Sequence, residues 1–149
     1  MNGVAQEATG LGNYFVANHP PFSSWKPDHL PDARAALNRP PRIDTPLGLY
    51  LHIPFCRKRC KFCYFRVYTD KNAGDVETYG EALVREIELY ARLPVVGARP
   101  LHYVYFGGGT PSYLSAAQLR SLLGRLRAAL PWEGAAEVTF ECEPGARYT

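Results

Sequence analysis

Sulfur is scarce in this chain: 149 residues hold one methionine and four cysteines. Long apolar runs are missing as well. None approaches the ~18 residues of a membrane span, which argues against a membrane protein. Neither charge sign dominates. Lys and Arg number 17 against 14 Asp and Glu, and a net charge of +3 is too small to imply a nucleic-acid partner. The N-terminus lacks the basic-then-apolar pattern of a secretion signal. Nor are the cysteines spread along the chain as in a secreted disulfide domain. These deficits point to a cytoplasmic, reducing setting, where clustered thiols do metal or redox chemistry. With 46% hydrophobic and 21% charged residues, the composition is that of an ordinary globular chain.

Proline is distributed unevenly. Seven of the 13 fall in residues 1–46: Pro20, Pro21, Pro27, Pro31, Pro40, Pro41 and Pro46. Proline blocks helix interiors and sheet ladders, so an extended leader is expected over 1–46. Tyr14, Phe15, Phe22 and Trp25 give it apolar anchors for the surface of the domain that follows, 47–149. Within it, PDARAAL (31–37) is expected to make one or two helical turns.

After Pro46 the pattern becomes regular. In LYLHI (49–53), Leu49, Leu51 and Ile53 alternate with Tyr50 and His52, as in a strand. Downstream, Asp75 is expected to cap a helix whose Tyr79, Leu83, Ile87 and Tyr90 share a face. Its exposed side offers the i,i+4 pairs Glu81–Arg85 and Glu88–Arg92. LHYVYF (101–106) is a continuous apolar run, expected of a strand buried on both faces. GGGTP follows, and then SAAQ (115–118), a capping box that opens a helix with Leu119, Leu122, Leu123, Leu126 and Leu130 along one stripe. In EVTFEC (137–142), Val138, Phe140 and Cys142 share one side and Thr139 and Glu141 the other. Strand, helix, strand, helix, strand predicts an α/β fold with parallel strands and helical crossovers. Such sheets bind ligands at the carboxyl ends of their strands. The loop after the first strand, GGGTP after the second and EPG after the third therefore share one rim.

That first loop holds Cys56, Cys60 and Cys63 in the spacing C-x3-C-x2-C, among Arg57, Lys58, Arg59 and Lys61. Three thiolates can hold an iron–sulfur cubane and leave one iron without a protein ligand, open to a small molecule. Structural zinc is the competing reading. It needs a fourth donor, for which His52 and Cys142 are the nearby offers, although Cys142 reads as a packed apolar residue beside Val138 and Phe140. A phosphate loop is the competing reading of the glycines, but no lysine follows and the Walker pattern is absent.

The sequences YLHIPFCRKRCKFCYF and YFGGGTPSYLS together resemble the radical S-adenosylmethionine (SAM) superfamily. Within it they resemble the group of oxygen-independent coproporphyrinogen III oxidase with its haem-chaperone and methyltransferase-like relatives. The resemblance runs from Leu49 to about Tyr148. It implies a partial (β/α)6 barrel, of which residues 47–149 supply the N-terminal half, so the chain reads as a fragment of a longer one. It implies a [4Fe-4S] cluster on Cys56, Cys60 and Cys63, and SAM chelating the open iron. Reductive cleavage of SAM to a 5′-deoxyadenosyl radical, and hydrogen abstraction from a substrate, are the implied chemistry.

The resemblance also assigns roles. Phe62 matches an aromatic placed against the adenine. Gly107, Gly108, Gly109 and Thr110 match a motif that meets the amino end of SAM through backbone groups. Tyr50 and Glu141 match positions near SAM; a carboxylate facing the barrel needs a partner, for which the SAM cation or ribose is the candidate. The basic residues of the cysteine loop would steer an acidic electron donor such as a flavodoxin or ferredoxin. The small-molecule substrate is unassigned, with a tetrapyrrole the candidate class. Phe65 stands where the coproporphyrinogen oxidase carries a further cysteine, which leans towards a relative acting on a different substrate. Residues 66–72, RVYTDKN, are then a candidate substrate- or SAM-facing loop. The alternative function is a non-catalytic module that binds haem or a partner protein, stabilised by a cluster or zinc.

Overall fold

The structure, a computed structural model, describes Pro21 and residues 24–144. The chain divides into two compact units, Met1–Ala36 and Leu37–Thr149. In the first, a 3-10 turn at Pro27–His29 runs into helix α1, Leu30–Leu37. The helical turns expected of PDARAAL are therefore present, with Pro31 in the first turn, where a missing N–H costs nothing. Trp25 is exposed; Tyr14, Phe15 and Phe22 lie outside the described residues.

The second unit is built as β1 (Leu47–Ile53), α2 (Ala73–Ala91), β2 (Leu101–Gly108), α3 (Ala116–Ala129) and β3 (Glu137–Phe140). The strands are parallel in the order β1-β2-β3, as the alternation of strands and helices predicts. Tyr50 stands opposite Tyr105, His52 opposite Gly107, and Tyr105 opposite Thr139. One face of the sheet is apolar. Leu51, Ile53, Val104 and Phe106 pack there against Val84 and Ile87 of α2 and Leu122 and Leu126 of α3, with Trp132 closing the cluster.

Several expectations change in detail. The cap of α2 is Asn72, not Asp75; Asp75 is the third residue of a reciprocal capping box, and its carboxylate accepts from the Asn72 N–H. The core face of α2 is rotated towards Val76 and Val84, so Tyr90 is exposed. Glu81 and Glu88 do not use Arg85 and Arg92. Both pair with Arg125 of α3, because the two helices lie side by side. The box at Ser115 and Gln118 forms as expected. β2 is not buried on both faces. Tyr103 is exposed and Tyr105 half-buried, because among the described residues no element covers that side. At β3, Val138 stands opposite Val104 on the helix-facing side yet is 58% exposed, and Cys142 is exposed rather than packed.

The Asn72 cap sits where the long β1–α2 connection turns into α2, so it fixes the exit of the cysteine loop. Asn72→Ala is expected to cost ~1 kcal/mol of stability, read as a lower urea midpoint with an unchanged m-value.

Candidate metal centre

The parallel ladder does not stop at the end of β1. The Gly109 N–H donates to the Ile53 carbonyl at 2.8 Å, and the Thr110 N–H donates to the Phe55 carbonyl at 2.8 Å. The chain after β2 is thereby laid along the entry of the cysteine loop. A Cβ at Gly109 would stand 2.9 Å from both carbonyl oxygens and 3.0 Å from Cys56 Sγ, so only glycine allows this approach. Gly108 has φ +111°, with the His52 ring over its open side.

The far side of the loop is closed by its own chain. The Tyr68 N–H donates to the Pro54 carbonyl at 2.8 Å, and the Cys56 N–H donates to the Tyr68 carbonyl at 3.0 Å. Residues 66–72 thus close the cysteine loop, and the Arg66 and Lys71 cations both lie over the Tyr68 ring. Beneath them the Phe55 ring packs edge-on against Tyr79 of α2 and stacks on Tyr113. The two phenols clamp the base: Tyr79 donates to the His52 carbonyl at 2.7 Å, and Tyr113 to the Lys71 carbonyl at 3.1 Å.

All four cysteines are free thiols. Cys56 is buried and accepts from the Thr110 hydroxyl at 3.3 Å. Cys63 is half-buried and Cys60 exposed. They are joined by a turn in which the Cys63 N–H donates to the Cys60 carbonyl at 3.1 Å, while Arg59 donates to the Cys63 carbonyl at 3.0 Å. Among the described residues, no three His, Cys, Asp or Glu side chains converge as a single metal ion would require. A tetrahedral zinc needs that convergence; a cubane presents separate irons to separate thiolates. The donor set, three thiols on one pinned loop, fits an iron–sulfur cluster. Of zinc's two offered fourth donors, His52 shares its Nδ1 with the Tyr50 hydroxyl at 3.3 Å, and Cys142 is exposed past the end of β3.

The open face of the sheet meets the loop at this rim. Tyr50, 53% exposed, stacks on Tyr105 with ring centroids 5.8 Å apart. Gly107 lies beneath both rings; a Cβ there would be 2.7 Å from Tyr105 and 3.1 Å from Tyr50. Tyr105 donates to Glu141 Oε1 at 2.7 Å. That bond, then the carboxylate's charge, holds the Tyr105 phenol above its ordinary 10.0. Burial, then the Glu141 charge, raises Tyr50 as well. Tyr50, Glu141 and the glycine motif, proposed from sequence, thus lie together. Phe62 stands apart at the loop's outer turn, 86% exposed, beside the exposed Arg57, Lys58, Arg59 and Lys61. Tyr105, which orients Glu141, was not foreseen. Its signal was the two-residue period within LHYVYF, which puts Tyr103 and Tyr105 on one side.

Residues 50–145, well over half of the chain, match the family description of the radical SAM superfamily. The chain belongs to that superfamily. Among curated radical SAM relatives, it is 46% identical over 94 residues to an anaerobilin synthase of Escherichia coli O157:H7, covering 62% of this chain and 21% of the other. It is 35% identical over 136 residues to an oxygen-independent coproporphyrinogen III oxidase of Synechocystis, covering 91% and 28%. A heme chaperone HemW of Mycobacterium tuberculosis is 38% identical over 104 residues, covering 70% and 27%. The solved structure of coproporphyrinogen III oxidase (HemN) from Escherichia coli, described as a radical SAM enzyme, superposes with a TM-score of 0.72 at 32% identity, covering 92% of this chain and 31% of that one. The chain therefore spans 21–31% of the length of these proteins. Its three-stranded parallel sheet is a part of the radical SAM fold. Among the described residues, no helix is long and apolar enough to cross a membrane.

The raised phenols have a pH consequence. A proton held more tightly in the folded state stabilises it fully below the unfolded pKa of about 10, and that contribution is lost as pH rises through the folded value. Wild type is expected to lose stability above pH ~10 more steeply than Tyr105→Phe, which lacks one raised phenol. Urea midpoints followed from about pH 8 to about pH 11 check this; parallel curves would remove the Tyr105–Glu141 bond from the account.

Proposed function

We propose that residues 47–149 are the cluster- and SAM-binding part of a radical SAM oxidoreductase, close to the coproporphyrinogen oxidase and haem chaperone group. The observation that carries this is the loop of three free thiols latched to the glycine strap at the carboxyl ends of the strands. Cys56, Cys60 and Cys63 would hold a [4Fe-4S] cluster. When bound with SAM, such a cluster supplies an electron for reductive cleavage and so a hydrogen-abstracting radical.

The chain's own residues bind and orient. SAM's ammonium group is a donor and needs acceptors. The N–H groups of Gly109 and Thr110 are engaged with β1 and its extension, so the glycine strap can offer carbonyl oxygens to it. Glu141, held by Tyr105, is a second acceptor for that ammonium or for the ribose hydroxyls. Gly107 leaves room beneath Tyr50 and Tyr105 for close approach of the ligand. Phe62, with its ring exposed on the loop, is the candidate to cover the adenine. The substrate is a small molecule, with a tetrapyrrole the class favoured by the relatives' names. A compartment without strong oxidant, the cytoplasm, suits both thiols and cluster.

A second reading is haem carriage without turnover. The similarity to proteins named heme chaperone favours it, as does Phe65 in the position discussed above. One experiment separates the readings. Anaerobic reconstitution with iron and sulfide is expected to give a brown protein, and replacing all three loop cysteines by serine to abolish iron uptake. Adding reductant and SAM is then expected to release 5′-deoxyadenosine. A brown protein that binds haem and leaves SAM intact would establish the carrier reading instead; a colourless protein with one bound zinc would sink the radical SAM reading and favour a zinc-stabilised binding module.

The exposed cations around the thiols are placed to receive an acidic electron donor. Reversing Lys58 and Lys61 to glutamate is expected to slow cluster reduction by flavodoxin ~tenfold or more at low salt and to flatten its salt dependence. Stopped-flow bleaching of the cluster reads both; an unchanged salt slope would dispose of the steering role.

A further inference from the structure

Thr110 belongs to a motif expected to meet SAM, yet two of its polar groups are committed elsewhere. Its N–H donates to the Phe55 carbonyl at 2.8 Å and its hydroxyl donates to Cys56 Sγ at 3.3 Å. Both bonds end on the cysteine loop.

The sulfur that receives the hydroxyl differs from the other two. Cys56 is the only buried thiol of the chain. It lies against the Gly109 backbone, where a Cβ would stand 3.0 Å from Sγ. Cys60 is exposed, and among the described residues the Cys63 sulfur has the Phe65 carbonyl as its partner, at 3.9 Å, an acceptor rather than a donor. The three thiolates are thus inequivalent: one is shielded from water and carries a fixed hydrogen-bond donor.

We infer that Thr110 tunes the reduction potential of the cluster by donating a hydrogen bond to the Cys56 sulfur. The inference rests on the cluster reading proposed above and adds a role for Thr110 towards the cluster. A donor aimed at a ligand sulfur withdraws electron density from it. It therefore stabilises the reduced, more negative cluster more than the oxidised one and raises the potential. The bond gains strength because the acceptor is buried, where water does not compete for the sulfur. The same hydroxyl ties the potential to the glycine strap, so the segment facing SAM and the segment facing the cluster are one piece of backbone.

Two variants isolate the hydroxyl. Thr110→Val keeps the branched shape and removes the donor; Thr110→Ser keeps the donor and removes the methyl. After anaerobic reconstitution, an EPR-monitored redox titration is expected to give a more negative midpoint potential for Thr110→Val than for wild type, with Thr110→Ser close to wild type. Resonance Raman is expected to show the Fe–S(Cys) stretching bands moved in the valine variant alone. Equal potentials and bands in all three proteins would overturn the inference while leaving the cluster reading intact. A wild type that takes up no cluster would take both down.

Should Thr110→Val assemble no cluster, the apo proteins decide. The infrared S–H stretch of Cys56, identified by its loss in Cys56→Ser, is expected to move in Thr110→Val and to stay in place in Thr110→Ser. An unmoved band in the valine variant would overturn the inference.

Discussion

Two hydrogen bonds, from the Gly109 and Thr110 N–H groups to the Ile53 and Phe55 carbonyls, carry the ladder between β1 and β2 past the end of β1. A loop that must present three thiols at fixed positions cannot be held by those thiols before a ligand arrives. It has to be held by its backbone. The strap supplies one edge, the Phe55–Tyr68 bridge supplies the other, and the Tyr79 and Tyr113 hydroxyls clamp entry and exit from below. The lever is short: Cys56 follows directly on the bonded Phe55, so its sulfur is placed by the sheet itself. Cys60 and Cys63 lie farther out, on a local turn, and are correspondingly more exposed. The gradient from fixed to free along the loop follows from distance to the ladder.

The sheet divides its two faces between stability and chemistry. A parallel strand is ordinarily covered on both sides, which is why LHYVYF reads as a doubly buried strand. Here Val104 and Phe106 supply the core, while Tyr103 and Tyr105 put phenols on the other side. Tyrosine suits that side because its ring still packs, as Tyr105 does on Tyr50 and Tyr103 does over Gly48, while its hydroxyl can meet a polar group. The Tyr105–Glu141 bond is the result. It links the middle strand to the residue just past β3 and gives Glu141 a set orientation without an opposite charge.

What the sequence made legible was whatever repeats with a short period or rests on residue type. The strands, the two long helices, the parallel order and the common rim all follow from alternation and from the Ser115 box. The cysteine loop and glycine strap were legible as motifs. What was not legible depends on contacts between elements. Arg125 takes Glu81 and Glu88 from their i,i+4 partners because α3 lies beside α2, a distance no local pattern records. Asn72 displaces Asp75 as cap because either residue suits the position, and the backbone chooses where the first turn begins. The packing expected of Cys142 presumed a covering element, which is a tertiary fact. Thr110 is the sharpest case. Its motif suggested a ligand contact, but the atom its hydroxyl meets, Cys56 Sγ, is 54 residues away in the chain.

Charge gives the site a direction. On the open face, the ionisable groups near the rim include Glu141, Tyr50 and Tyr105, with His52 bonded to Tyr50. On the loop's outer surface stand Arg57, Lys58, Arg59 and Lys61. On the proposed function, the sulfonium of a bound nucleoside would meet carboxylate and phenol oxygens at the open face. On the same reading, an acidic electron donor would meet, on the loop, four cations spread over five residues. Exchanging the two polarities would defeat both encounters: a cationic face would repel the sulfonium, and an acidic loop would repel the donor while raising the energy of an added electron nearby. The net charge of +3 conceals this arrangement. The placement of the charges, a carboxylate held by Tyr105 at the open face and four exposed cations on the cysteine loop, gives a nearly neutral chain local charge of both signs.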